Sequence, residues 1–419
     1  MPEPVDRAAV AAELADLVRV PSVSGSTDEE AIQHRLAGRL QDLGCSIDLW
    51  PLDLPALAAD PQFPGAEVPR EAAWGLVGEL TPHAGGGNNG PTVILNAHVD
   101  VVPPGDTRLW TSPPFHPRID ADDHGSESLF GRGACDMKGG LVSILSALTT
   151  LKEIGLPRRG RVLVQCVIGE EDGGLGTFAS LIRGHTGDVA VIPEPTSCSV
   201  VCANAGALTF RLHVPGRSVH GGHRLEGISA VAEFWPLYQA IEALEARRNV
   251  SVHPLMQHLT LPYGISIGTV HAGDWASTVP DLLIADGRLG VALGEHPDDA
   301  REALRSAIAE ACQASNWLRD HPATVEFIGG QFASGFTDPA HPLVSAVCDA
   351  HERMTGSPPR VHGAPYGSDL RLLTSHGIPT LHYGLGDARH AHAPDERVPL
   401  HEVELTAAVL VDVVEQYCT

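Results

Sequence analysis

Short apolar strands alternate with amphipathic helices through the first half of the chain. Residues 92–97, 162–168 and 189–192 are predominantly apolar runs, whereas residues 28–43 and 137–154 repeat apolar side chains at helical spacing. Strands that lack a polar face are buried on both sides, which is typical of a largely parallel sheet sandwiched between helices. The sequence therefore predicts an α/β fold for this part of the chain.

The order of elements changes near residue 206. Residues 206–329 have the pattern strand, helix, strand, strand, helix, strand. This is the ferredoxin-like split pattern, which forms a complete α+β domain by itself. From residue 330 the α/β alternation resumes. We therefore predict one α/β domain formed by residues 1–205 and 330–419, with residues 206–329 inserted into it as a second domain.

Charge and composition exclude several classes of protein. The formal net charge of −24 at pH 7 would repel nucleic acid and anionic membranes. No stretch reaches the roughly 18 uninterrupted apolar residues that a membrane span needs, and the first ten residues lack the features of a secretory signal. The eight cysteines are scattered without a C-x-x-C pair, which favours buried thiols. We expect a cytoplasmic protein without nucleic-acid or membrane partners.

Five polar motifs lie at the ends of predicted strands or at the start of a helix. Their ionisable residues are His98 with Asp100, Asp136, Glu170 with Glu171, Glu194, and His390 with His392. Each motif alone has a plain structural explanation, such as a core histidine, a helix cap or a solvated acidic turn. Together they supply imidazole and carboxylate ligands at one edge of a sheet, where ligands of such folds gather. This combination indicates a site for zinc or a similar divalent cation.

The motifs H-x-D, G-R-G-x-x-D-M-K-G-G, G-E-E-x-G-G and H-x-P-D-E occur in this order in the chain. In this the chain resembles the metallohydrolase family of acetylornithine deacetylase, succinyl-diaminopimelate desuccinylase, aminoacylase and glutamate carboxypeptidase, from about Val18 to its end. The resemblance implies two zinc ions per chain, although cobalt or manganese could occupy the same ligands. It implies that His98, Asp136 and Glu194 bind one metal, and that Asp136, Glu171 and His392 bind the other.

The resemblance also implies roles for residues around these ligands. Asp136 would bridge the two metals, and its peptide bond to Met137 would be cis. Glu170 would be the general base that activates a water molecule between the metals. Asp100 would orient His98.

In the inserted domain, the resemblance implies a lid that also forms a homodimer. His220 would reach the oxyanion from the partner subunit. Arg288 is a candidate contact for a substrate carboxylate, although a surface position on a strand explains it equally well. Ser277 stands where many relatives carry asparagine, and Gly367 lies in a segment expected to shape the pocket. Both are further candidate substrate contacts.

Glu194 bears on the reaction, because relatives with glutamate at this position tend to be deacylases and carboxypeptidases. We therefore predict a metal-dependent hydrolase that cleaves the amide bond of a small N-acyl amino acid or N-acyl amine. One alternative is a dipeptidase or carboxypeptidase of the same family. A second is a metal-binding regulatory protein without activity, against which the intact Glu170 and the complete ligand set argue.

Overall fold

The computed structural model describes residues 6–82 and 90–419. This part of the chain forms two compact units. The first contains the described residues up to Ala203 together with Phe336–His362 and Ser368–Thr419, and the second contains Asn204–Gly335 and Gly363–Gly367.

The predicted inserted domain, residues 206–329, therefore lies within the main segment of the second unit. No pattern in the sequence indicates that Gly363–Gly367 belongs to the second unit as well. A short segment without its own periodic pattern carries no signal for the unit in which it packs.

The described residues form the following helices and strands in chain order. The helices are α1 (Arg7–Val18), α2 (Asp28–Asp42), α3 (Leu54–Ala58), α4 (Gly139–Glu153), α5 (Leu175–Ile182), α6 (Ala230–Arg248), α7 (Pro297–Ala314), α8 (Pro342–Thr355), α9 (Leu370–Ser375) and α10 (Leu400–Cys418). The strands are β1 (Ser46–Pro51), β2 (Trp74–Leu80), β3 (Thr92–His98), β4 (Arg118–Ala121), β5 (Glu127–Phe130), β6 (Arg161–Val167), β7 (Val189–Ile192), β8 (Val200–Asn204), β9 (Gly206–Pro215), β10 (Ile265–Ala272), β11 (Leu282–Val291), β12 (Thr324–Phe332), β13 (Gly335–Phe336), β14 (Val361–Ala364), β15 (Thr380–Tyr383) and β16 (Arg397–Pro399).

The large sheet follows the order β1-β2-β6-β3-β7-β15-β8-β13. Its centre, β6-β3-β7-β15, is parallel, and every residue of β3 is buried. The predicted α/β fold with a parallel sheet is confirmed for this centre. Antiparallel strands β1, β2 and β8 extend it on both sides. The sequence did not indicate β1, because this edge strand is largely half-buried and lacks a continuous apolar run.

The second unit contains a four-stranded antiparallel sheet in the order β10-β11-β9-β12. This is the strand order of the predicted ferredoxin-like pattern. Burial alternates along β9, so that Leu208, Phe210, Leu212 and Val214 face a core that includes apolar residues of α6 and α7. One face of the sheet is thus covered by the two helices.

All eight cysteines are free. Over the described ranges, no helix combines the length and the hydropathy needed to cross a bilayer.

Candidate metal centre

Three neighbouring parallel strands of the first unit end at the same edge of the sheet. His98 is the last residue of β3, Glu170 and Glu171 follow β6, and Glu194 follows β7. The register pairs His98 with Val167, the last residue of β6. Parallel strands present their carboxyl ends together, which is where ligands of open α/β sheets bind. Side chains far apart in the chain therefore meet here.

The first group of potential metal ligands consists of His98, Asp136 and Glu194. Each offers one ligand atom, and these atoms lie within 4.8 Å of one another. His98 Nε2 is 3.0 Å from Asp136 Oδ1 and 3.8 Å from Glu194 Oε1. His98 is buried, and the two acids are mostly buried.

The second group consists of Asp136, Glu171 and His392, whose ligand atoms also lie within 4.8 Å of one another. His392 Nε2 is 3.4 Å from Asp136 Oδ2 and 3.0 Å from Glu171 Oε2. Asp136 thus turns one oxygen to each histidine, as a carboxylate shared by two cations would. The structure brings together all five residues that the resemblance implied as ligands.

The pKa shifts within the two groups of potential ligands indicate an environment that favours bound cations. Burial, with the charges of neighbouring acids, raises the pKa of Glu194 well above its usual value, and the same causes raise the pKa of Glu171. Hydrogen bonds to Asp136 and Glu171 raise the pKa of His392 to about 11. Burial alone would lower the pKa of His98, but Asp136 and Glu194 raise it well above its usual value. The surroundings thus favour positive charge, and the nitrogen and oxygen donors suit zinc or a similar divalent ion.

Local backbone geometry explains how Asp136 reaches this position. The turn Ala134–Lys138 precedes α4, and Gly133 enters it with a left-handed φ of 82°. The peptide bond between Asp136 and Met137 is cis, which confirms the prediction. Lys138, not Asp136, is the N-cap residue of α4, so the aspartate does not serve as a helix cap.

Gly140 in the same motif allows a close approach of α4 to the loop after β7. A Cβ atom at this position would lie 2.2 Å from the main-chain oxygen of Pro193, which precedes Glu194. The last glycine of the motif therefore lets the helix pack against the segment that carries Glu194.

Asp100 contacts His98 more closely through its main chain than through its carboxylate. His98 Nδ1 lies 2.9 Å from the main-chain oxygen of Asp100 and 3.8 Å from its carboxylate. The carboxylate instead accepts the backbone N–H groups of Glu170 and Glu171, each at 3.3 Å, and the hydroxyl of Ser24 at 2.8 Å. The main chain of Asp100 therefore holds His98, while its side chain holds the loop after β6.

Glu170 is buried beside the ligands. Burial raises its pKa well above the usual value, and the charges of Asp369, Glu194 and Glu171 act in the same direction. A carboxylate with a raised pKa is a better proton acceptor near neutral pH. These electrostatics would suit a proton acceptor, and the role of Glu170 as the general base stays a prediction.

A buried arginine that the sequence analysis did not single out braces the same loop. Arg70 donates to Asp172 at 2.8 Å and forms two hydrogen bonds of 2.9 Å with Glu29. The three side chains are at most 5% exposed. Asp172 directly follows Glu171, so the arginine holds the segment that carries Glu170 and Glu171. The adjacent acids were visible in the sequence, but nothing there paired them with Arg70.

The remaining candidates lie in the second unit. His220 is exposed, and its Nδ1 accepts the backbone N–H of Gly222 at 3.1 Å. Gly221 donates to the main-chain oxygen of Ser277 at 2.6 Å, so His220 and Ser277 belong to one local structure.

Arg288 and Gly367 have contacts within the second unit that explain them structurally. Arg288 donates to the main-chain oxygen of Pro365 at 2.9 Å. A Cβ atom at Gly367 would lie 2.6 Å from the side chain of Phe332. Their roles in binding substrate stay predictions.

Comparison with known proteins agrees with this geometry. Residues 94–416 match the model of Peptidase family M20/M25/M40. The chain belongs to this family. It is therefore a metal-dependent hydrolase of amide or peptide bonds, as members of the M20 group are. Members of this group typically bind two metal ions.

Similar proteins of the M20 group differ in the acyl group that they are named for. The chain is 26% identical over 413 residues to N-formyl-4-amino-5-aminomethyl-2-methylpyrimidine deformylase of Bacillus subtilis (strain 168), covering 93% of this chain and 90% of that one. It is 28% identical over 348 residues to succinyl-diaminopimelate desuccinylase of Paracoccus denitrificans (strain Pd 1222), covering 79% and 85%. A Bacillus subtilis structure described as a dinuclear metal binding peptidase has a TM-score of 0.64 at 17% identity, covering 98% and 99%. The likeness to this structure concerns the fold.

Because Asp136 belongs to both groups of potential ligands, its substitution should remove more bound metal than substitution of a ligand of one group. After dialysis against limiting zinc, the wild-type chain should retain about two ions, His98→Ala about one and Asp136→Ala almost none, because only Asp136 belongs to both groups. Metal content per chain is measured by inductively coupled plasma mass spectrometry. His390→Ala is the matched control, since His390 belongs to neither group. An Asp136→Ala protein that kept both ions would contradict the shared site.

Proposed function

We propose that the chain is a deacylase that hydrolyses the amide bond of a small N-acyl amino acid or N-acyl amine with two zinc ions. The observation that carries this proposal is the pair of ligand groups joined at Asp136, with the buried Glu170 beside them. Glu194 supports deacylation over dipeptide cleavage, for the reason given by the family resemblance. The named relatives, a deformylase and a desuccinylase, both remove an acyl group.

The residues divide the chemistry among them. Zinc ions held by the two groups would supply Lewis acidity, which polarises an amide carbonyl and lowers the pKa of water. Glu170 accepts a proton from the attacking water molecule and later donates it to the departing amine. Asp100 and Arg70 hold the loop on which Glu170 is presented. His220 donates a hydrogen bond to the developing oxyanion.

A substrate panel tests the reaction class. N-formyl, N-acetyl and N-succinyl amino acids and amines should be hydrolysed, and the best of them should exceed unsubstituted dipeptides by about tenfold or more in kcat/KM. A preference for dipeptides or C-terminal residues of longer peptides would favour the peptidase alternative. A protein that holds two zinc ions and hydrolyses nothing in the panel would support the regulatory alternative.

Glu170 can be separated from its neighbour by substitution. Glu170→Gln should lower kcat by about 10²- to 10⁴-fold, because the amide cannot accept the proton, while the zinc content stays at the wild-type level. Glu171→Gln is the matched comparison, since it should lose zinc as well as activity. Steady-state rates and metal analysis on the same samples provide the measurement. A Glu170→Gln enzyme with more than half of the wild-type kcat would refute the assignment.

We also propose that the chain forms a homodimer through its second unit and that His220 serves the active site of the partner subunit. β10 is an edge strand of its sheet, and residues over most of its length are exposed. An exposed edge presents unpaired backbone groups that a second copy can bind. The exposed side chain of His220 is available for such a role.

Mixing two inactive variants tests both parts of this proposal. His220→Ala and Glu170→Gln chains should each be inactive alone and should regain activity after they are exchanged into mixed dimers. In the mixed dimer, one site combines an intact Glu170 with an intact His220 from the other chain. Light scattering reports the dimer, and the rate reports complementation. If the mixed dimers form but stay inactive, His220 acts within its own chain.

A further inference from the structure

The glutamate that ends the C-terminal motif lies directly behind the turn that carries Asp136. Glu396 is completely buried. Its Oε1 accepts the backbone N–H groups of Cys135 at 2.9 Å and of Asp136 at 3.0 Å. Its Oε2 accepts Nη1 of Arg132 at 2.6 Å. One carboxylate thus binds two successive amides of the turn and the guanidinium that precedes them.

Glu396 is itself held in place by its surroundings. Its main-chain oxygen accepts the N–H of Gly131 at 2.8 Å. The next residue begins β16, which pairs with β5. Arg132 is also buried, and its guanidinium lies 5.1 Å from the ring centroid of Trp110. Both partners of the buried ion pair are therefore fixed by further contacts.

Such a carboxylate is costly to bury unless charge and hydrogen bonds compensate it. Here Arg132 balances the charge, and two aligned amides bind the same oxygen. Hydrogen bonds to an ionised acceptor are shorter and stronger than those between neutral groups. The turn around Asp136 is consequently held through its backbone by a buried, charge-compensated carboxylate.

The contact with Glu396 bears on the orientation of the Asp136 side chain. Oδ1 of Asp136 lies 3.0 Å from His98 Nε2, and Oδ2 lies 3.4 Å from His392 Nε2. A small rotation of the backbone would move both oxygens away from their partners. Glu396 also follows His392 by four residues in the same segment. Its position therefore relates the Asp136 turn to the loop of a second ligand.

We propose that Glu396 is a positioning residue that fixes Asp136 between the two ligand groups and thereby sets the affinity and coordination geometry of the metals. The inference rests on the proposed function only in taking Asp136 as the shared ligand. The identity of the acyl substrate does not enter it.

Cobalt binding tests the proposal without an activity assay. Metal-free wild-type, Glu396→Gln and Glu396→Ala proteins are titrated with Co²⁺, and the visible absorption spectrum of the bound ion is recorded. Glu396→Gln retains a carbonyl acceptor but loses the charge, and should weaken Co²⁺ binding by about 10- to 100-fold with a changed spectrum. Glu396→Ala removes the acceptor as well and should weaken binding further.

Glu295→Gln is a matched control for a purely structural effect. The carboxylate of Glu295 also accepts hydrogen bonds from an arginine, Arg248, at 2.7 and 2.5 Å. It accepts a further hydrogen bond from the backbone N–H of Ala292 at 2.8 Å. It lies in the second unit, whereas the ligand groups lie in the first. Its substitution should lower the melting temperature but leave Co²⁺ affinity and spectrum unchanged.

The double variant Glu396→Gln/Arg132→Met guards against misfolding and against an unpaired buried arginine. It removes both charges together, which proteins tolerate better than the loss of one partner. It should fold, as judged by circular dichroism, and still bind Co²⁺ more weakly than the wild type. Wild-type affinity and spectrum in either the double variant or Glu396→Gln would overturn the proposal. Failure of wild-type protein to bind two Co²⁺ ions would instead count against the two-metal function, so the two failures are distinguishable.

Discussion

The sharing of Asp136 between two histidines is the interaction on which the site depends. Its two oxygens face His98 and His392, and Glu194 and Glu171 complete the two groups. Carboxylates packed this closely away from water repel one another unless positive charge accompanies them. The raised pKa values of the histidines and of the two glutamates express that demand. The same charges that make the site unfavourable without cations make it a binding site for them.

Charged residues outside the ligand set hold the loops that supply the ligands. The carboxylate of Asp100 accepts backbone amides of the loop after β6, and Arg70 binds Asp172 in that loop. Glu396 does the same for the turn before α4. Each contact joins segments that are distant in sequence but adjacent at the carboxyl edge of the sheet. Loops are the most variable part of such a fold, so a site built on them needs anchors of this kind.

Much of the fold could be predicted because its signals are local. The buried strand β3 is a continuous apolar run, and the helices of the ferredoxin-like pattern repeat apolar residues at helical spacing. The edge strand β1 could not be predicted, because it is only partly buried. Nor could the assignment of Gly363–Gly367 to the second unit, since a segment of this length has no periodicity of its own.

The sequence by itself determined the inventory of the site, since its motifs contain the candidate ligands and Glu170. From the residues alone, either His390 or His392 could have been a ligand, and only the structure brings His392 to Asp136. The structure likewise assigned the hold on His98 to the main chain of Asp100, and it paired Arg70 with Asp172. Spacing along the chain encodes local geometry only. Arg70 and Asp172 are more than a hundred residues apart, and such partners meet only when strands and helices pack.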